Sequence, residues 1–258
     1  MEKVIFISKA ENVYEGAKGY SRIYFGEEFC ENRIPEKEDY KLVYDYLKEN
    51  NKEVSFVFPY LTDYGMDLLD EILDYVSPEA GTEIIANDWG TVYHLERQYP
   101  GVEVVVGRLL NKMKRDPRIK TAEKFLDKDM MEMYRSSNLL TESSIRLLES
   151  KGIKNIEFDC PMQGVKLKKT NFKYSVHYPL GYITTTRFCM TNPATYKPGG
   201  NYRCTGKLCE KTTLKEENEK FSCRVYQKGN TVFYYNNKVT KEDLFALGFN
   251  RVIEHRGL

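Results

Sequence analysis

Residues 54–106 read VSFVFPYLTDYGMDLLDEILDYVSPEAGTEIIANDWGTVYHLERQYPGVEVVV, and this stretch decides the fold class. Val54–Phe58 is a strand that ends at Pro59. Asp63 is placed to cap a helix whose apolar residues include Met66, Leu68, Leu69, Ile72 and Leu73. Glu83–Ala86 is the next strand, and Asp88 follows as N-cap of a helix Thr91–Gln98. Val102–Val106 is apolar but for Glu103, close to the run expected of a parallel strand buried on both faces. Strands that alternate with helices across short loops build a parallel sheet.

The same alternation continues in both directions. Upstream, Arg22–Phe25 is strand-like and ends at Gly26, and Lys37–Glu49 carries Tyr40, Val43, Tyr44 and Leu47 on one helical face. Downstream, residues 111–137 are charged and less regular, which predicts an excursion or a helical insertion. Thr141–Lys151 is amphipathic, with Ile145, Leu147 and Leu148 expected inward and Gly152 closing the helix. Asn155–Phe158 and Lys173–His177 are further strands. Thr231–Tyr235 and Arg251–Glu254 flank a helix Lys241–Leu247. The parallel strands so counted begin at 22, 54, 83, 102, 155, 173, 231 and 251. That count predicts a (β/α)8 TIM-like barrel, whole, distorted or incomplete, over residues 1–258 as a single domain, with 189–212 as a cysteine-bearing loop. No Gly-rich dinucleotide fingerprint follows an early strand, which weakens an open doubly wound sheet.

Composition fits this. A chain of 258 residues buries enough core to need neither metal nor disulfide for stability. The opening MEKVIFISKAENVYEG has only a short apolar run, so no signal peptide is predicted. No apolar stretch reaches the roughly 20 residues of a membrane helix. A cytoplasmic protein without a membrane span is expected. The net charge of +1 hides an asymmetry. Residues 161–228 hold 13 Lys/Arg against 4 Asp/Glu, a balance of +9, so the remainder sums to −8. That segment is either a solvated loop-rich face or a surface for an anionic small molecule or RNA.

Six cysteines in a reducing compartment point away from structural disulfides. Cys189, Cys204 and Cys209 lie in RFCMTNPATYKPGGNYRCTGKLCEKTT, a loop rich in Gly, Pro, Asn and Thr. Such a loop can wrap thiolates around a metal centre, and a fourth ligand would come from elsewhere. Cys30, just past the strand at 22, would be delivered to the same barrel face. Spacing alone leaves three options open: an iron–sulfur cluster, a zinc site of four cysteines, or reduced free thiols. Cys160 and Cys223 are spare.

Several segments resemble the collagenase-like U-type peptidase family (peptidase family U-32). They are YFGEEFCENR, IIANDWGTVYHL, VVVGRLLNK, YSVHYPLGYITTTRFCMT, VYQKGNTVFYYN and LFALGFNRVIEHRG, in that order from about residue 20 onward. The resemblance is nearest to the short proteins of oxygen-independent ubiquinone hydroxylation. It implies a 4Fe-4S cluster on Cys30, Cys189, Cys204 and Cys209, an oxygen-independent hydroxylase or its subunit, and a protein partner of the same family in a heteromer. The spacing in the loop is slightly longer than that subgroup's. The peptidase activity in the family's label has no support in the residues, since neither a His-Glu-x-x-His helix nor a Gly-x-Ser-x-Gly elbow is present. A non-catalytic RNA- or protein-binding module with a structural metal site is the alternative.

Polar residues at the C-terminal ends of barrel strands are the usual catalytic stock. They are Glu27 and Glu28, Asn87 and Asp88, Arg108 and Asn111, Asp159, and His177. Asp88, Arg108, Asn111 and His177 are taken as catalytic candidates. Asp88 also suits a helix cap, and His177 a satisfied core histidine. Arg108 suits a buried carboxylate or phosphate partner. Arg187, two residues before Cys189, could bind an anion or tune a cluster's charge.

Overall fold

The computed structural model describes residues 2–187, 189, 209, 213–216 and 223–255. The strands in chain order are β1 (Glu2–Ile7), β2 (Arg22–Gly26), β3 (Glu53–Phe58), β4 (Glu83–Ala86), β5 (Glu103–Val106), β6 (Asn155–Phe158), β7 (Lys173–Tyr178), β8 (Leu180–Thr185), β9 (Thr213–Glu216), β10 (Val225–Lys228), β11 (Thr231–Tyr235) and β12 (Arg251–His255). Eight of them, all parallel, close into a barrel in the order β1-β12-β7-β6-β5-β4-β3-β2. The barrel is therefore whole. One expected member was misplaced and one was missed. Glu2–Ile7 is a barrel strand, pairing Val4 with Ile253 and with Arg22. The strand at 231 lies outside the barrel, in a four-stranded sheet of order β8-β11-β10-β9 whose neighbours pair antiparallel.

The helices are α1 (Val13–Gly16), α2 (Lys37–Glu49), α3 (Asp63–Val76), α4 (Trp89–Gln98), α5 (Ile119–Ala122), α6 (Lys128–Arg135), α7 (Glu142–Ser150) and α8 (Lys241–Ala246). The outer core lies between helices and strands. Tyr40, Val43 and Leu47 of α2 and Leu69, Ile72 and Leu73 of α3 meet Phe25, Phe56 and Phe58 there. Thr62, not Asp63, caps α3, accepting from the Gly65 amide at 3.4 Å. In α7, Leu148 is buried but Leu147 is exposed, because the buried stripe of this helix is narrower than its apolar residues. The excursion after β5 contains α5 and α6, as expected of an insertion.

Inside the barrel, side chains alternate inward along each strand. Arg251, Ile253 and His255 of β12 climb from floor to mouth this way, while Val252 joins the outer core. The middle layer is apolar: Val4, Tyr24, Val57, Ile85, Val105 and Ile253. Below it, at the strand N-termini, lies a buried ionic layer. Arg251 donates to both oxygens of Glu83, at 2.8 and 2.9 Å, and to the Tyr24 hydroxyl at 2.8 Å. Arg22 reaches Glu83 at 3.2 Å, Glu53 at 2.6 Å and Glu2 at 2.9 Å. Burial pushes the Glu83 carboxyl up, but Arg251, Arg22 and the Ser55 hydroxyl outweigh it and hold Glu83 below its ordinary value.

The second sheet covers part of the opposite, C-terminal mouth. Its underside packs Tyr182 and Phe233 against Phe29 and Leu109 of the loops after β2 and β5. Within the sheet, Gly181 of β8 makes room for the Tyr234 ring of its neighbour β11, since a Cβ there would come within 2.3 Å of that ring. Among the described residues, no helix is long and apolar enough to cross a membrane.

Glu83 is the shared counterion of two buried guanidinium groups, so removing it leaves uncompensated charge inside the barrel. Glu83→Ala is expected to destabilise the fold by about 3–5 kcal/mol in urea denaturation. A loss below about 1 kcal/mol would show that the ionic layer does not hold the barrel floor.

Candidate functional site

The loop after β2 turns sharply at Gly26, whose φ of +137° and approach to the Val57 carbonyl leave no space for a side chain. Glu27 then folds back, accepting from the Glu28 and Phe29 amides at 3.1 Å each. This directs Glu28 into the barrel. There it meets Arg108, which follows β5 and is fully buried. Arg108 donates through Nε and Nη2 to the two Glu28 oxygens at 2.6 and 2.7 Å, and through Nη1 to Asp159 and the Leu180 carbonyl at 2.9 Å each. The Phe29 and Tyr182 rings stand over its guanidinium at 5.2 and 5.7 Å. Arg115, from the excursion, reaches the other Asp159 oxygen at 2.5 Å and the carbonyls of Arg108 and Asn111. Burial drives the Asp159 carboxyl up, and Arg115 and Arg108 overcome it, so it lies below its usual value.

Beneath this layer, His177 of β7 points inward. Its Nε2 is 3.0 Å from Oε2 of Glu157 and 3.8 Å from Oε1 of Glu28. Its Nδ1 is 2.9 Å from Nε2 of His255, and the two imidazoles stack at 5.2 Å. Burial, and then Arg108, pull His177 down to about 3 against Glu28 and Asp159. Burial pushes Glu157 up to about 8, against the Tyr24 hydroxyl, Arg108 and Arg251. The hydroxyl is near enough to favour the carboxylate, but Oε1 of Glu157 makes no hydrogen bond. At neutral pH this inner set is therefore a neutral acid beside neutral imidazoles.

A cavity of about 330 Å³ opens at the mouth, between the ends of β1 and β12 and the edge of the second sheet. Its wall includes Phe6, Glu28, Arg108, Lys228, Phe233 and His255. A smaller one, of about 90 Å³, is lined by Phe29, Cys30, Tyr60, Thr62, Arg187 and Asn230. Phe29 and Asn230 form the partition between the two. Asn230, in the turn joining β10 to β11, donates to the carbonyls of Phe29 and Thr186 at 2.7 Å each.

Among the catalytic candidates, Arg108 and His177 meet at the mouth. Asp88 caps α4, accepting from the Thr91 amide and hydroxyl at 2.7 Å each and from the Leu61 amide at 3.0 Å. Asn111 is buried, donating to the Glu157 carbonyl at 2.8 Å and accepting from the Ser137 hydroxyl at 2.6 Å. Both are committed to backbone and loop geometry. Glu157 and His255 are site residues that the sequence-based selection passed over. Their signal was a titratable residue in the inward phase of a barrel strand.

Of the cysteines, Cys30 is half-buried and lies within electrostatic reach of Cys209. Cys209 in turn sits beside Gly229, whose Cβ position would be 3.5 Å from its sulfur. Cys189 follows Arg187, which shares the small cavity with Cys30. Two residues of chain span at most about 7 Å, so Cys189 stays near that cavity. Cys204 lies outside the described residues. Cys160 is buried at the end of β6, and Cys223 is half-buried. Burial, then the Glu27 carboxylate, push the Cys30 thiol up to about 12, so a thiolate there needs a cation to hold it.

Among the described residues, the only group of three metal-ligating side chains with ligand atoms all within 4.8 Å is Glu28, Glu157 and His177. Both Glu28 oxygens are already bonded by the Arg108 guanidinium, and His177 and Glu157 are hydrogen-bonded to each other. A cation there would compete with a fully buried, paired arginine for Glu28, so hydrogen bonding accounts for the group better than metal binding.

No protein-family model matches the chain, and no curated protein sequence does. Among solved structures it is similar to a U32 peptidase at 12% identity, covering 100% of this chain and 93% of that one, with a TM-score of 0.47. The barrel assignment stands on the strand pairings alone.

Stability should depend on pH through His177 and Glu157 with opposite signs. His177 titrates near 6.5 when unfolded and about 3 when folded, so its contribution is present above 6.5 and lost as pH falls towards 3. The Glu157 contribution is present below about 4.5 and lost as pH rises through about 8. His177→Gln is thus expected to lose roughly 2–3 kcal/mol less stability than the parent between pH 6.5 and 4 in urea denaturation. Parallel pH curves for the two proteins would refute the neutral buried imidazole.

Proposed function

We propose that this chain is an iron–sulfur protein in which Cys30, Cys189, Cys204 and Cys209 hold a 4Fe-4S cluster beside the barrel mouth. The observation that supports it best is the convergence of Cys30 and Cys209, far apart in sequence, at the partition formed by Phe29 and Asn230. Thiolates are the ligands such a cluster takes, and Arg33 and Arg187 nearby offset negative charge. Zinc would draw its sulfurs to roughly 3.8 Å, given bonds of about 2.3 Å at tetrahedral angles. No three of the described cysteines are gathered that closely. An eight-atom cube holds its ligands farther apart.

A bound cluster would supply one-electron chemistry next to the larger cavity. An oxygen-independent hydroxylation or a related redox reaction suits that combination, with this chain as the enzyme or as one subunit of a heteromer. Within the same proposal fall a cytoplasmic setting, a kinship with the short ubiquinone-hydroxylation proteins, and an anionic small molecule or RNA as the second partner.

Anaerobic purification with metal and sulfide analysis tests it. About four iron and four sulfide per chain are expected, with absorbance near 400 nm that is lost in air. Cys30→Ala and Cys209→Ala should each lose the absorbance, and Cys223→Ser should keep it. Stoichiometric zinc without iron would overturn the proposal. So would peptide cleavage by protein that carries no cluster, which would favour the peptidase alternative.

A further inference from the structure

We infer that Glu157, His177 and His255 form a proton relay that opens onto the mouth cavity. His255 is its terminal general acid and base, serving a ligand group that exchanges a proton, such as a carbonyl, enol or hydroxyl. This holds whether or not the cysteines carry a cluster.

The geometry is continuous. Glu157 Oε2 lies 3.0 Å from Nε2 of His177, and Nδ1 of His177 lies 2.9 Å from Nε2 of His255. Stacking fixes the rings: His255 lies between His177 at 5.2 Å and Phe6 at 5.1 Å. Glu157 and His177 are fully buried, whereas His255 is half-buried and forms part of the cavity wall. One nitrogen of His255 is taken by His177. Among the described residues no protein group bonds the other, Nδ1.

The surroundings fix the charge on each member. Glu157 faces Tyr24, Glu83, Arg108, Arg251 and His177. His177 faces Arg108, Glu28, Asp159 and His255. His255 faces His177, Arg108 and Lys228. The arginines make an imidazolium unfavourable and can hold a carboxylate on Glu157. The resting chain is therefore Glu157 O–H to His177 Nε2, then His177 Nδ1–H to His255 Nε2, leaving His255 Nδ1–H for the cavity. When a ligand base takes that last proton, His177 passes its own to Nε2 of His255. Glu157 passes its own to Nε2 of His177. One O–H and two N–H bonds break, and two N–H bonds and one bond to the ligand form. Glu157 ends as a carboxylate, both imidazoles stay neutral, and both tautomers have inverted. The reverse sequence takes a proton from a ligand.

Histidine tautomers are read directly by two-bond 15N–1H correlation in the full chain labelled at histidine nitrogen. The chain has three histidines. His94, partly exposed and 2.7 Å from Asp70, serves as the internal reference, and His255→Gln assigns the other two. Between pH 6 and about 9.5, His177 and His255 are expected to pass together from Nδ1–H to Nε2–H, with one shared midpoint near 8. Glu157→Gln should abolish the inversion and leave each ring in one tautomer. Separate midpoints, unchanged tautomers across the range, or an imidazolium at either site at pH 6 would overturn the relay, as would inversion that persists in Glu157→Gln. If that variant does not fold, the shared midpoint in the unaltered chain still decides.

Discussion

The pairing of Arg108 with Glu28 and Asp159 is the constraint on which the mouth of this barrel depends. A guanidinium with no solvent exposure is costly unless its donors are met, and here one arginine bonds Glu28 twice, Asp159 once and the Leu180 carbonyl once. These partners come from the loop after β2, the end of β6 and the start of β8. One side chain thus ties barrel to second sheet. Arg115 closes the set by taking the remaining Asp159 oxygen. Two cations then face two anions, and no net charge is left over. The groups beneath, Glu157 and His177, are buried beyond that balanced set, and burial outweighs the charges around them and favours the neutral form of both.

The position of the cavity follows from the same tie. Phe29 and Leu109 are pinned under Tyr182 and Phe233, so the second sheet shields the mouth over the β2 and β5 loops. The ends of β1 and β12 stay open, and Phe6 and His255 line the space there. Cys30 lies across the Phe29–Asn230 partition from that space. Catalytic groups of such barrels gather at this face because eight strand ends converge on it while their lower halves carry stability. The Arg22–Glu83–Arg251 layer has that second role at the floor.

Much of the barrel was legible because its strands and helices alternate with clear periodicity. Residues 54–106 alone contain three strands and two helices that appear with nearly the bounds expected. Two strands were misjudged for a physical reason. Pairing is not a local property: TVFYY at 231 has strand composition, yet nothing in it says that its neighbours are β8 and β10 instead of barrel strands. Glu2–Ile7 has a short apolar run that looks unremarkable until β12 and β2 supply partners on both sides. The site was half legible. Arg108 and His177 stood out at strand ends, but Asp88 and Asn111 share that placement and are consumed by a helix cap and by the Glu157 carbonyl of β6. Glu157 was hidden in the strand Asn-Ile-Glu-Phe, where only the inward phase distinguishes it from a solvated residue.

Charge neutrality also distinguishes this mouth from one built around a single exposed histidine. An exposed imidazole that takes a proton becomes a cation and relies on water to screen it. Here His177 and Glu157 are fully buried and Arg108 already places a positive charge beside the rings, so a further cation on them is disfavoured. A chain of two neutral rings ending in a neutral acid avoids one, because the negative charge left by a departing proton appears on Glu157, within reach of Arg108 and Arg251. Those same arginines are anchored by Glu28, Asp159 and Glu83, so they do not have to move as the charge arrives. Such fixed dipoles and charges cost no reorganisation at the moment of transfer. The ionic layers at floor and mouth thus have a consequence beyond stability: they prepare an interior position, Glu157, where a charge can come and go.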